Sequence, residues 1–208
     1  MASCVSQTWV ELFLLDSGSS LSEGTQGAFR QFQTNQTNMY GGRQMNIYFL
    51  DDEPKQAARD CADQHLEKMM RDACLMLGNK TTDMGCDQSM PEWVQKSQQH
   101  AQWVWHYALE LSQEWQMRFH HMRYAYEKMI AYHNQLPALT VYVETQMEDK
   151  GWRNPPRCIP DKYKRKHHGK TKPSNHVLSY RDFYRTLPNL QWTKRGVPSW
   201  LHEEQANV

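Results

Sequence analysis

"DEPKQAARDCADQHLEKMMRDACLMLGN", residues 52–79, decides the fold class. Asp52-Glu53-Pro54 reads as a helix opening, with acids at the cap and a proline in the first turn, where a missing N–H does no harm. Gly78-Asn79 is the matching stop. Between them Ala58, Ala62, Leu66, Met69, Ala73 and Leu77 recur three or four residues apart, so the spacing predicts one helix over Pro54–Leu77 with an apolar stripe. Beside that stripe stand Cys61, His65, Lys68 and Asp72. At ~100° per residue these four fall within roughly 60° of one another, along the rim of the buried face.

That rim is where chemistry is expected. Partial burial lowers a lysine's pKa and raises an acid's, and an amine, an imidazole and a carboxylate in one row suit Schiff-base chemistry with proton transfer. The plainer alternative is an amphipathic helix with Lys68 and Asp72 as an i,i+4 ion pair and His65 at its boundary. Cys61 and His65 also have the spacing of two metal ligands on one face. No tight second pair and no H-E-x-x-H accompanies them, so no metal site is assigned.

Outward from this helix the pattern stays helical. Pro91-Glu92 opens a second helix to about Met117, with Trp93, Val94, Ala101, Val104, Ala108, Leu111 and Trp115 at helical spacing. A third stretch, about Phe119–Gln135, ends before Pro137. Asn46–Leu50 and Leu139–Thr145 read as extended or strand segments, and a short helix is expected near Val177–Arg185. The expected fold is therefore mainly α: a single compact helical domain over residues 45–208 with short extended segments and a basic, loop-rich C-terminal region at 151–200.

Residues 17–44 are mostly Ser, Gly, Gln, Thr and Asn and cannot bury enough apolar surface to offset their ordering entropy. Gly41-Gly42-Arg43 can also be encoded by a purine-rich, ribosome-binding-type sequence just upstream of Met45. We expect Met45 to be the working start and residues 1–44 a disordered or non-native extension. The short run Leu12–Leu15 fits neither a membrane span nor a signal peptide. The five cysteines are widely spaced without C-x-x-C, which favours a reducing cytoplasm over a disulfide framework. Neither G-x-G-x-x-G nor a P-loop occurs, so no cofactor is assigned.

Net charge is only +1, yet residues 151–208 hold twelve of the 24 Lys and Arg and four of the 23 Asp and Glu. This polarity points to an anionic partner. Its densest part is "KYKRKHHGKTK", Lys162–Lys172. Lys162, Lys164, Arg165 and Lys166 are candidate phosphate contacts, with Trp192, Lys194 and Arg195 as further binding residues on the same surface. Neutralising Lys164, Arg165 and Lys166 is expected to flatten the salt dependence of DNA affinity; a solvated surface loop is the alternative. DNA is the expected partner, with RNA as the other polyanion and no membrane.

"MNIYFLDDEPKQAARDCADQHLEKMMRDACLML", residues 45–77, resembles the opening of a family of small phage proteins, MNI-hydrophobic-x-LD, then x-P-x-x-A-A, then a D-[KQ]-H-x-x-K-M helix. The likeness continues through Pro155–Tyr163, Tyr180–Tyr184 and Trp192–Trp200. The first helix also resembles that of the phage pyrimidine-dimer DNA glycosylase/AP lyase family, which has the string Ala62-Asp63-Gln64-His65-Leu66 and then an arginine and a catalytic glutamate in the places of Arg71 and Asp72. The resemblance implies a phage-encoded enzyme of the infected cell's cytoplasm that attacks C1′ of a damaged or modified pyrimidine nucleotide with an amine. Asp72 would be the catalytic acid, Arg71 would bind substrate, and the amine would come from Met45 at the chain start or from Lys68. Asp72 reaches about one methylene less far than a glutamate, and Asn46 is too large for routine methionine removal. Two other classes stay open: a non-catalytic phage protein that binds nucleic acid or a host factor, and a metal-dependent nucleic-acid enzyme.

Overall fold

The computed structural model describes residues 45–78, 89–119, 129–165 and 173–202, all within the compact unit Arg43–Val208. The architecture is mainly α, with no strand among the described residues. Six helices are named here: α1 (Pro54–Asp60), α2 (Asp63–Leu77), α3 (Ser89–Lys96), α4 (Gln98–Phe119), α5 (Leu136–Gln146) and α6 (Asn175–Tyr184). Short 3-10 turns lie at Asp161–Tyr163 and Ser199–Leu201. Helix α4 runs through the middle and touches α1, α2, α3 and α5. Leu66, Met69, Met70, Ala73 and Leu77 of α2 are buried, as are Ala101, Val104, Tyr107, Ala108 and Leu111 of α4. Burying each of the larger of these contributes about 1.5–3 kcal/mol.

The helix expected over Pro54–Leu77 is broken at Cys61-Ala62, where both residues are extended. No proline or glycine causes this; distant side chains do. In an unbroken helix the carbonyls of Arg59, Asp60 and Cys61 would accept from the amides four residues on. Arg118 instead donates to the carbonyls of Arg59 at 2.9 Å and Cys61 at 2.8 Å, and the Trp192 indole donates to that of Asp60 at 3.0 Å. On the other side of the break, the Ala62 amide goes to the Tyr184 hydroxyl and the Asp63 amide to the Gln191 carbonyl, each at 2.8 Å. Cys61 therefore ends α1, while His65, Lys68 and Asp72 stay together on α2. Glu53, the N-cap of α1, makes no side-chain capping bond; the Asp52 carboxylate is taken by Ser174, whose hydroxyl donates to it at 2.8 Å.

The second expected helix is likewise split, at Ser97, where the Gln98 amide leaves the helix for the Glu148 carbonyl at 3.0 Å. Of the third stretch, Phe119 is the last residue of α4 and 129–133 is helical; 120–128 lie outside the described residues.

Leu139–Thr145, expected as strand or extended, is the body of α5. Pro137 opens it, Leu136 and Val143 bury against the core, and the Thr140 and Thr145 hydroxyls donate back to the carbonyls of Leu136 and Val141. With no strand among the described residues to pair with, a helix satisfies this backbone where a β-ladder cannot. The segment 45–50 forms neither helix nor strand, the Leu50 amide turning back to the Tyr48 carbonyl at 2.9 Å, and it is buried throughout. Helix α6 starts where expected, with the Ser174 hydroxyl accepting from the Val177 amide.

Among the described residues, no helix is long and apolar enough to cross a membrane.

Candidate functional site

Helix α6 braces the segment 45–50 against α2. The Tyr180 hydroxyl donates to Asn46 Oδ1 at 3.0 Å, and Asn46 Nδ2 donates to the Cys158 carbonyl at 2.8 Å. Arg181 donates to the Leu50 carbonyl at 2.7 Å and pairs with Asp51 at 2.9 Å. Clamped this way, the chain at 45–46 lies against Asp72, and the Asn46 amide points at Asp72 Oδ2 from 3.4 Å.

Asp72 is the centre of the site. It is 2% exposed and receives Lys68 Nζ at 2.6 Å on Oδ2 and the Arg71 guanidinium at 3.2 Å on Oδ1. Lys68 is 28% and Arg71 48% exposed, so the carboxylate is sheltered while both cations reach solvent. A buried carboxylate needs such partners, since an unpaired one carries a desolvation penalty of several kcal/mol. Two cations around one anion leave local positive charge on the open side.

His65, one turn back on α2, is 3% exposed. Its ring sits edge-on to Tyr48 and Tyr184, with centroids 5.1 and 5.2 Å away, and its Nδ1 lies 2.6 Å from the Tyr184 hydroxyl. Burial, and then the Lys68 ammonium, lower its pKa to about 3, so the ring is neutral near pH 7. Burial raises Tyr184 well above the ordinary phenol range and pushes the Cys61 thiol up to about 12. Among the described residues, no group of three or more His, Cys, Asp or Glu side chains is arranged to hold a metal ion.

The structure thus brings together His65, Lys68, Arg71 and Asp72 on α2 with Met45, buried, and Asn46 beside them. The C-terminal candidates are placed differently. Trp192 is buried with its indole N–H on Asp60, and Arg195 grips Glu114 through Nε at 3.0 Å and Nη2 at 2.6 Å. Arg165 is bidentate on Asp182, with Nη2 at 2.8 Å. Lys194 Nζ donates to the Met117 carbonyl at 3.3 Å. Lys164 pairs with Asp161 at 2.7 Å, and Lys162 lies over the Tyr163 ring at 4.8 Å. Lys166 lies outside the described residues. Arg165, Trp192 and Arg195 are therefore used in holding the fold.

Four residues of the site are not evident from the sequence: Asn46, Tyr48, Tyr180 and Tyr184. Tyr180 and Tyr184 stand one turn apart on α6, and both hydroxyls face the segment 46–65. That i,i+4 tyrosine pair is the one signal of them that the sequence carries.

No protein-family model matches the chain, and no curated protein or solved structure matches it significantly.

Proposed function

We propose that this is a phage-encoded DNA-processing protein of the infected cell's cytoplasm, a DNA glycosylase/AP lyase that acts on damaged or modified pyrimidines through an amine. The observation that supports it best is the sheltered carboxylate of Asp72, 2.6 Å from the Lys68 amine and 3.4 Å from the main-chain nitrogen of Asn46. Both candidate amines therefore lie at one acid: Lys68 directly, and the α-amine of a chain starting at Met45 one residue from the Asn46 amide.

In the proposed reaction the amine, having passed a proton to Asp72, attacks C1′ of the nucleotide. The C1′–N bond to the base breaks, and the base leaves with its electron pair and takes the proton back from Asp72. A proton then passes from the attached nitrogen to O4′, the C1′–O4′ bond breaks, and the ring opens to a protonated imine. Asp72, again a carboxylate, steadies that cation and removes the C2′ proton. β-Elimination then breaks the C3′–O bond, and water hydrolyses the imine to free the amine. Arg71 is placed to hold a phosphate beside the reacting sugar.

Borohydride trapping tests this. With abasic DNA, reduction is expected to leave a covalent protein–DNA adduct that Asp72→Asn abolishes. Loss of the adduct in Lys68→Ala assigns the amine to lysine. An adduct formed by a chain starting at Met45 and not by one starting at Met1 assigns it to the terminus. DNA binding without any adduct supports the second reading, a non-catalytic nucleic-acid binder; Lys162 over the Tyr163 ring, a cation–aromatic pair outside the α2 site, with Lys164 nearby in the chain, favours it.

A further inference from the structure

We infer that Tyr184 fixes His65 in the tautomer protonated at Nε2, and that this N–H is the site's permanent donor to a backbone oxygen of the bound nucleic acid. The inference rests on the nucleic-acid reading above and adds a role for each residue: Tyr184 positions, and His65 touches the ligand without carrying protons.

A phenol has one hydrogen to give and two lone pairs to accept with. One lone pair of Tyr184 takes the Ala62 amide at 2.8 Å, an amide available only because the helix is broken there. The single hydrogen has two acceptors in reach, His65 Nδ1 at 2.6 Å and Cys61 Sγ at 3.9 Å. An O–H···N bond at the shorter distance is strong, and an O–H···S contact at the longer one is weak, so the hydrogen belongs to Nδ1. Cys61 has its own outlet, its thiol facing the Ala62 carbonyl at 3.8 Å. Nδ1 being the acceptor, the proton of a neutral ring must sit on Nε2.

Nε2 bonds to nothing among the described residues, and it is not among the polar atoms sealed from solvent without a partner. His65 keeps 3% of its surface exposed, and we assign that edge to Nε2. The titratable groups facing the ring are Lys68 on α2, Tyr48 on the segment 45–50, Tyr184 on α6 and Cys61 at the break. None is a carboxylate that would favour an imidazolium, and the Lys68 ammonium opposes one. What remains is an uncharged N–H held by two aromatic edges beside a cation. That arrangement suits an anionic or sugar oxygen and does not switch between pH 5 and 8.

The test uses the full chain with nitrogen-15 in its histidines. Spectra are expected to show one ring, absent from His65→Gln, with Nε2 protonated and Nδ1 bare, unchanged from pH 5 to 8. An oligonucleotide bearing a tetrahydrofuran abasic analogue is expected to move that ring's signals. His65→Gln, which keeps an N–H donor, is expected to hold DNA affinity within about threefold, and His65→Ala to lose about tenfold, the worth of one hydrogen bond. Tyr184→Phe is expected to release the tautomer, so that Nδ1 and Nε2 share the proton. Since Tyr184 is fully buried, the glutamine and alanine pair stands as the arm independent of it. A ring protonated on Nδ1, titration between pH 6 and 7 in the unmutated chain, or His65→Gln as weak as His65→Ala overturns the inference. DNA bound with His65 undisturbed overturns the donor role alone. No DNA binding at all removes the proposed function together with it.

Discussion

Asp72→Asn keeps the size of the side chain and removes the charge that Lys68 and Arg71 share. Both cations are part-exposed, so the stability loss is expected to be about 1–2 kcal/mol, below the cost for a fully buried pair. Proton handling would suffer far more, with adduct formation slowed about 10²–10⁴-fold. The ratio of those two effects, measured by urea melts and borohydride trapping on one preparation, distinguishes a working acid from a structural one. His65 makes a second prediction. Its pKa falls from the ordinary histidine range to about 3 on folding, so below pH 6.5 the unfolded chain binds a proton that the folded chain refuses. Stability is then full above pH 6.5 and falls by about 1.4 kcal/mol per pH unit as the pH drops toward 3. His100, also lowered by burial, adds to the same slope. Urea midpoints at pH 5 and 7 should differ in this sense, and His65→Gln should shrink the difference. The triad on α2 is legible in the sequence because helical spacing puts His65, Lys68 and Asp72 on one face whatever surrounds them. Asn46 and Tyr184 are not, because they meet α2 from 26 and 119 residues away.

The helices are legible where local signals govern. Asp52–Pro54 and Gly78 bound the first helical stretch. The signals fail where tertiary partners override them: at Cys61-Ala62, whose breaking groups lie on α4, at the end of α6 and beyond it, and in α5, where β-branched residues fold as helix with no strand among the described residues to pair with. Arg118 is the element-scale test. It is fully buried, pairs with Glu114 and Asp63 at 3.0 Å each, and caps two carbonyls at the break. Glu114 is raised by burial and lowered further by Arg195 and Arg118, ending below the usual carboxylate range. Arg118→Met would strand two carbonyls and take the ion pair from Asp63, while Glu114 keeps Arg195, with an expected loss of about 3–5 kcal/mol in urea unfolding. Arg118→Lys should recover little, since one ammonium cannot serve four acceptors held by a planar fork.

At the scale of the molecule, the basic C-terminal quarter divides its labour. Arg165, Arg181, Arg185 and Arg195 are ion-paired to Asp182, Asp51 and Glu114, so four of the twelve basic residues behind the charge asymmetry hold the fold. Replacing Lys162 and Lys164 by Gln should reduce the slope of log affinity against log salt by about 1 for each phosphate that these lysines neutralise. Arg165→Gln should instead lower the melting temperature through Asp182. Parallel salt titrations and thermal melts of the two variants separate these effects.

The bend at Cys61-Ala62 also has a consequence for the order of synthesis. Its supports arrive late: Tyr184, Gln191 and Trp192 leave the ribosome more than a hundred residues after the peptide they hold. A nascent chain arrested before Arg118 should carry one straight rod from Pro54 to Leu77, and the geometry around His65 and Asp72 would be set only once Tyr184 and Trp192 have emerged.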